Sequence, residues 1–342
     1  MKHLLKELCA LDAVPGYERE LRDYLAARVG VWADEITIDP LGNLLVLKRG
    51  KAHRTRPLVV AVHMDEDGFL VERFSEDGYL RLTPAGEIEP RTLIGCRVKV
   101  GLNKVPGVIA LKAIHLTTEK EREKTPLLED LYVDVGAQSE VRACKLCAIG
   151  DPACFDSSLR EFGRGYVKAK ALDSRAGCAV ALKLLEEELP WDTYFAFTVG
   201  GCIGGRGAQA LANRLDPGCV LVLGGTLAAD FPDIPPHRQA AHLRQGAAVC
   251  VADADAVYSR SLRQRITGLA EQVGIKWQYL QGESGMAEAA AFLSYGMRVA
   301  VMGLALPLRN PHSASNISYL PDLQEMYKLA ALFCQEVGDE DE

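Results

Sequence analysis

After Ala169 the chain alternates between two hydrophobic periods: a helical pattern (SRAGCAVALKLLEEEL), an apolar run (YFAFTV), a second helical pattern (GAQALANRL) and a second apolar run (CVLVLGG). Short continuous apolar runs joined by helices predict strands buried on both faces, connected by crossovers. The fold class expected is α/β, a mostly parallel mixed sheet covered by helices. PLVVAVHMDE has the same buried-strand character and predicts a further strand of that sheet.

From Gly68 to about Tyr166 the texture changes. Short β-type segments (FLVERF, YLRLTP, RVKV, GVIALKAI, LYVDVGA) are punctuated by Gly, Pro, Asn and charged turns. One charged, helix-like piece, TTEKEREKTPLLEDL, is limited by Pro126. The α/β part is thus expected to be discontinuous, over residues 1–67 and 163–342, around an all-β insert over 68–162. Ahead of it, Leu4, Leu5, Leu8, Leu11, Leu21, Tyr24 and Leu25 fall at helical spacing, interrupted by Pro15-Gly16. ITIDPLGNLLVLKRG reads as a hairpin turning at residues 40–43, SRSLRQRITGLAEQVG as a later helix, and GDEDE as a solvated end.

A length of 342 residues accommodates about two cores, and 48% hydrophobic with 25% charged residues suits a soluble globular chain. The net charge of −7 argues against a nucleic-acid surface, which needs a basic excess. No apolar run approaches the roughly 18 residues of a membrane span, and the N-terminus lacks a signal-type apolar block. A cytoplasmic protein with reduced thiols is expected, its ten cysteines being scattered. Cys144, Cys147 and Cys154 make a single CxxC with one trailing cysteine, an incomplete zinc set that reads as ordinary thiols.

Three segments carry candidate chemistry. His63-Met64-Asp65 closes the buried strand, where open α/β sheets gather ligands; the imidazole suits a metal and Asp65 its orientation. Alone, such a histidine is more often a hydrogen-bonded structural residue. Asp173 precedes a helix and alone reads as its cap. Asn310-Pro311-His312-Ser313 places a histidine after the strand-like VAVMGLAL.

Together, HMDEDGFLV, HLTTEKEREKTPLLEDLYVDVGA, GDPACFD, KALDSRAG, GGRGA and PLRNPHS resemble, over nearly the whole chain, the tetrahedral metallo-aminopeptidases. This is the glutamyl and deblocking aminopeptidase family that assembles into dodecamers. The resemblance implies hydrolysis of N-terminal residues from peptides, an insert that serves as a dimerisation domain, and two zinc or cobalt ions. It makes His63 a ligand of the first metal, Asp65 its supporting acid, Asp173 the bridge between metals and His312 a ligand of the second.

The remaining family positions are altered. Family members read TVQEEVGLRGA where this chain reads TVGGCIGGRGA, so the general-base Glu is Gly201 and a metal-binding Glu is Cys202. The second Asp becomes Gly224, and a Gly-Thr-Asp segment becomes Gly285-Met286-Ala287-Glu288. The first metal keeps His63 and Asp173, too few ligands for tight zinc. The second keeps Asp173, Cys202 and His312, a three-ligand set suited to zinc with water. That leaves room for one zinc, or for no metal.

Loss of a positioned base removes about 10²–10⁴-fold in rate. Glu66 or Glu288 can replace it only where the backbone has shifted. The expectation is a pseudo-enzyme, inactive or strongly impaired. It holds peptides or small ligands in the old cleft and assembles as a homo-oligomer, dimer to dodecamer, or with an active paralogue. The alternative is a weakly active mono-zinc aminopeptidase using Asp173, Cys202 and His312. A more distant one is a dinucleotide-binding protein, since Gly205, Gly207 and Ala210 fit G-x-G-x-x-A with Asp230 downstream. The family's own VGLRGA matches that pattern without a nucleotide.

Overall fold

A computed structural model describes residues 1–53, 55–282, 285–294 and 299–337; the GDEDE end lies outside them. The main sheet has eight strands in the order Glu35–Ile38, Leu44–Lys48, Thr193–Thr198, Leu58–His63, Cys219–Leu227, Ala300–Leu308, Ala247–Val249, Trp277–Tyr279. The central four, from Thr193–Thr198 to Ala300–Leu308, are parallel. The hairpin forms as expected and joins the sheet antiparallel through Leu44–Lys48. Ala247–Val249 also runs antiparallel to its neighbour Ala300–Leu308, which makes the sheet mixed.

Leu58 to Val62 are buried without interruption because helices cover both faces. On one face lie Lys2–Ala10, Arg19–Val29, Leu172–Leu185, Arg260–Val273 and Leu320–Glu336, meeting at residues such as Leu5, Leu21, Leu182, Ile266 and Phe333. On the other, Arg206–Leu215 and Ala287–Leu293 contribute Leu211 and Phe292.

The β-type segments form a closed barrel: Gly68–Phe74, Leu80–Ala85, Tyr132–Asp134, Val105–Ala110, Arg97–Val100 and Pro152–Phe155. Phe69, Val71, Val98, Ile109, Val133 and Phe155 fill it. Within TTEKEREKTPLLEDL only Glu119–Arg122 is α-helical, one turn started by a Thr118/Glu121 capping box. Arg160–Phe162 pairs outside the barrel, with Tyr166–Ala169, which in turn pairs with Asn316–Tyr319.

A buried group of charges ties barrel and sheet together. Lys170 donates to Asp12 Oδ1 at 2.6 Å and Glu66 Oε1 at 2.8 Å. Lys99, on a barrel strand, donates to the same Asp12 at 2.6 Å. Arg175 reaches Glu66 Oε1 at 3.2 Å. Burial pushes the Asp12 carboxyl up, but the Lys170 and Lys99 ammoniums outweigh it and hold the group below its usual range.

Candidate metal and peptide-binding cleft

Because the central strands run parallel, their carboxyl ends share one edge, and a cleft of about 460 Å³ opens there. His63 ends its strand at the cleft floor. Two residues on, Asp65 is fully buried and accepts the Gly201 and Cys202 amides, both at 2.7 Å. Its Oδ1 lies 3.5 Å from His63 Nδ1. Asp65 therefore holds the glycine-rich turn over the histidine ring as well as facing that ring. Burial would raise the Asp65 carboxyl, but His63 and the two amides keep it below its usual range. For His63 burial pulls downward, and Glu288, then Asp65 and Asp173, carry the imidazole up to about 10.

Gly200, Gly204 and Gly205 adopt φ of +62°, +91° and +65°, left-handed values that this turn requires. Gly201 does not, and its lack of a side chain has another cause. A Cβ there would stand 2.6 Å from His63 Cγ and 2.8 Å from its Nδ1. At Gly224 a Cβ has room, but its nearest neighbours are Met286 Cε and Sδ at 3.7 and 3.9 Å. The thioether lies beside that position in the same cleft.

Asp173 sits in the first turn of Leu172–Leu185, yet it caps nothing: the N-cap is Ala171, at φ +56°, with no side-chain cap. Asn316 Oδ1 takes the Leu172 amide at 3.0 Å instead. The same Asn316 donates to the Asn310 and Ser313 carbonyls at 2.9 and 3.1 Å, which fastens the His312 loop to the helix start. His312 itself is held at φ +55°. Its Nδ1 lies 2.9 Å from Asp67 Oδ2, while Asp67 Oδ1 accepts the Glu87 amide at 2.9 Å. Burial lowers the His312 pKa, but Asp67 more than reverses this, to about 9. Burial raises Asp67, against the pull of His312 and helped by the Asp173 charge.

The ligating atoms close into three groups, each within 4.8 Å: Asp67, Asp173 and His312; His63, Asp65 and Cys202; and Asp12, Glu66 and Cys154. The structure thus brings Asp173 and His312 together as expected, with Asp67 as a third member. Cys202 is set with His63 instead, its Sγ 4.0 Å from Nδ1, because Asp65 draws the turn's amides to that side. Burial, then the charges of Asp65, Asp67 and Asp173, push the Cys202 thiol well above its ordinary pKa. Sequence reasoning missed Asp67 and Asn316. A third acid in the run Asp65-Glu66-Asp67 was the available signal for the first.

Other expected candidates fall elsewhere. Glu66 is enclosed by Lys170, Arg175 and the Ala13 amide, away from the cleft. Glu288, by contrast, lines the cleft, buried, with Thr198 Oγ1 at 3.4 Å from Oε1, and burial raises its pKa. Gly207 is a packing glycine, since a Cβ would meet the Val199 carbonyl oxygen at 2.6 Å; Asp230 is bound by Arg309 at 2.7 and 2.9 Å. A dinucleotide reading loses both its phosphate turn and its ribose acid. Cys144 and Cys147 join no metal-type group among the described residues, and none of the ten cysteines is in a disulfide. No helix of the described residues is long and apolar enough to cross a membrane.

A family description, M42 glutamyl aminopeptidase, matches residues 42–329. The lysyl aminopeptidase of Pyrococcus furiosus is 28% identical, across 98% of this chain and 96% of that protein. Among solved structures, an aminopeptidase from the archaeon Desulfurococcus kamchatkensis superposes with a TM-score of 0.93 at 30% identity, covering 99% and 95% of the two chains. The Pyrococcus horikoshii TET1 peptidase, which assembles into a tetrahedron or a large octahedral shell, gives 0.87 at 28% identity, covering 98% and 99%.

Proposed function

The chain belongs to the M42 glutamyl aminopeptidase family, and on that premise we propose that it is a member whose cleft binds peptide N-termini while hydrolysis is lost or strongly impaired. One observation carries this reading. The position that would supply the general base is a glycine pressed against the His63 ring, so no side chain can act from it without displacing that ring. A positioned base contributes about 10²–10⁴-fold, and a paired-metal clamp is weakened together with it at Gly224 and Cys202.

The ligand class follows from charge. Asp67, Glu87, Asp173, Asp253, Asp255 and Glu288 line the cleft, with no lysine or arginine among the described lining residues. A protonated α-amino group, with a neutral or basic first side chain, suits that field better than an acidic one. A cytoplasmic setting agrees with ten cysteines that form no disulfide.

We also infer a homo-oligomer, by analogy with the shells of the Pyrococcus horikoshii relative. Exposed Ile114, Leu116 and Leu127 on the insert offer apolar surface for a second copy, which supports that assembly.

Purified protein, assayed on aminoacyl-p-nitroanilides with added zinc or cobalt, is expected to turn over at least about 10²-fold more slowly than an active family member measured beside it. Calorimetry should meanwhile register peptide binding that weakens when the N-terminus is acetylated. Robust, chelator-sensitive turnover would overturn the reading. Glu288 favours a second one, because it is a further buried acid that lines the cleft with His63 and, unlike Asp65, is not held by the turn's amides. If turnover is found and Glu288→Gln abolishes it, Glu288 is a relocated base.

A further inference from the structure

We propose that the metal ligand missing from the glycine-rich turn is replaced from a different segment: Asp67, with Asp173 and His312, forms a mononuclear site for a zinc-type divalent cation that does not include Cys202. This deepens the reading of the cleft as the family's binding site and rests on it.

The three groups of potential ligands differ in what already occupies their donor atoms. Between Asp12 and Glu66 stands the Lys170 ammonium, 2.6 and 2.8 Å from the two carboxylates, so a cation's place is filled by the chain itself. In the His63 group both Asp65 oxygens are taken by backbone amides at 2.7 Å. Cys202 is fixed on that side with them, 4.0 Å from His63 Nδ1.

The Asp67 group is different. Asp67 turns Oδ1 to the Glu87 amide, which leaves Oδ2 pointed at His312 Nδ1, 2.9 Å away. A tetrahedral ion with ligand bonds of about 2.0 Å separates neighbouring donor atoms by roughly 3.3 Å, so this pair needs only a small opening to share one. The Asp173 carboxylate accepts no hydrogen bond from a described residue and faces the same point, within 4.8 Å of both.

The frame around these donors is over-determined. Ala171, Asn310 and His312 all hold positive φ, and Asn316 cross-links the helix start to the histidine loop. Such strain persists where surrounding contacts enforce it, and it clusters at ligand clamps. Two carboxylates and one imidazole make a hard-to-borderline set, complete to three, with the open cleft left for a water or a ligand's amino group. When bound, the ion supplies a Lewis-acidic anchor; Asp67, Asp173 and His312 hold it and set which side of the cleft the ligand enters.

Cobalt spectroscopy tests this without an activity readout. Metal-depleted protein titrated with Co²⁺ should take up one ion per chain, with tetrahedral-type visible bands and no thiolate-to-cobalt charge-transfer band. Cys202→Ser should leave stoichiometry and Kd unchanged. Asp67→Asn should weaken Kd at least roughly tenfold, since even the loss of an outer-sphere partner costs that much. A thiolate band in the unaltered protein, two ions per chain, or no uptake would each overturn the proposal. So would an unchanged Kd in Asp67→Asn. The spectrum of the unaltered protein decides the Cys202 question even if a variant fails to fold. Absence of uptake with intact peptide binding refutes the metal site alone, whereas loss of peptide binding refutes the functional reading.

Discussion

Lys170→Met should lower the unfolding free energy by about 3–5 kcal/mol, read as a fall in the urea midpoint. The ammonium is almost wholly buried and serves two carboxylates, the fully buried Glu66 and the largely buried Asp12. Methionine fills a similar volume, so the loss measures stranded charge and not a cavity. Glu66 Oε2 already lacks a hydrogen-bond partner among the described residues, which leaves that carboxylate no reserve of contacts. Lys99 continues to hold both Asp12 oxygens, with Lys104 3.1 Å from Oδ2, while Arg175 and the Ala13 amide continue to hold Glu66 Oε1, so the loss should fall at the lower end of that range. A second substitution, Asp12→Asn, should then cost less in the Lys170→Met background than alone, since the two share one network. A loss below about 1 kcal/mol in the single variant would contradict this account. The pH dependence has a definite sign. Asp12 is held below its ordinary value, so its contribution is complete above that value of about 4 and is lost as pH falls towards its folded pKa.

Gly201→Glu, the substitution that restores the family's base in sequence, should fail to restore turnover and should destabilise the fold. Overpacking at a fixed site costs typically about 1–3 kcal/mol. Here the new Cβ would meet the inner atoms of the His63 ring at 2.6 and 2.8 Å, not a flexible side-chain end. His63 cannot retreat freely, because its backbone ends a strand buried between two neighbours and its ring faces Asp65. Relief would have to come from the turn, which both oxygens of Asp65 hold down. The expected result is a lowered Tm with nitroanilide turnover at the level of the parent protein. A rise in turnover of about 10²-fold, the lower end of what a base contributes, would show that the histidine and the turn can part.

Much of this was legible before any fold was known, and the physical reasons are uneven. The strand Leu58–His63, the parallel centre and the β-rich insert follow from local periodicity, which burial on two faces or one imposes directly on sequence. His63 and His312 converge because parallel strands bring their ends to one edge, and Asp173 joins them from a helix start fastened to the His312 loop by Asn316. The partner of Cys202 was not legible. It is decided by amide contacts between residues more than a hundred positions apart, and the sequence order of the turn carries no trace of them. Asn316 is similar: only the finished fold brings it between Leu172 and Asn310. Glu66 and Glu288 were indistinguishable as spare acids until Lys170 and Arg175 enclosed one of them. The departure at Arg160–Phe162 was equally invisible, since a three-residue strand has too little pattern to announce which sheet it joins.

The contact between Gly224 and Met286 bears on whether such a cleft can be re-evolved. An aspartate returned at 224 alone would set its carboxylate against a thioether, with no donor at the 3.7 Å neighbour to receive it. A polar replacement of Met286 alone would open a void beside a glycine. The two residues are in contact, so substitutions at 224 and 286 should not be additive. A library search for metal-binding variants of this cleft should therefore vary positions 224 and 286 as a pair.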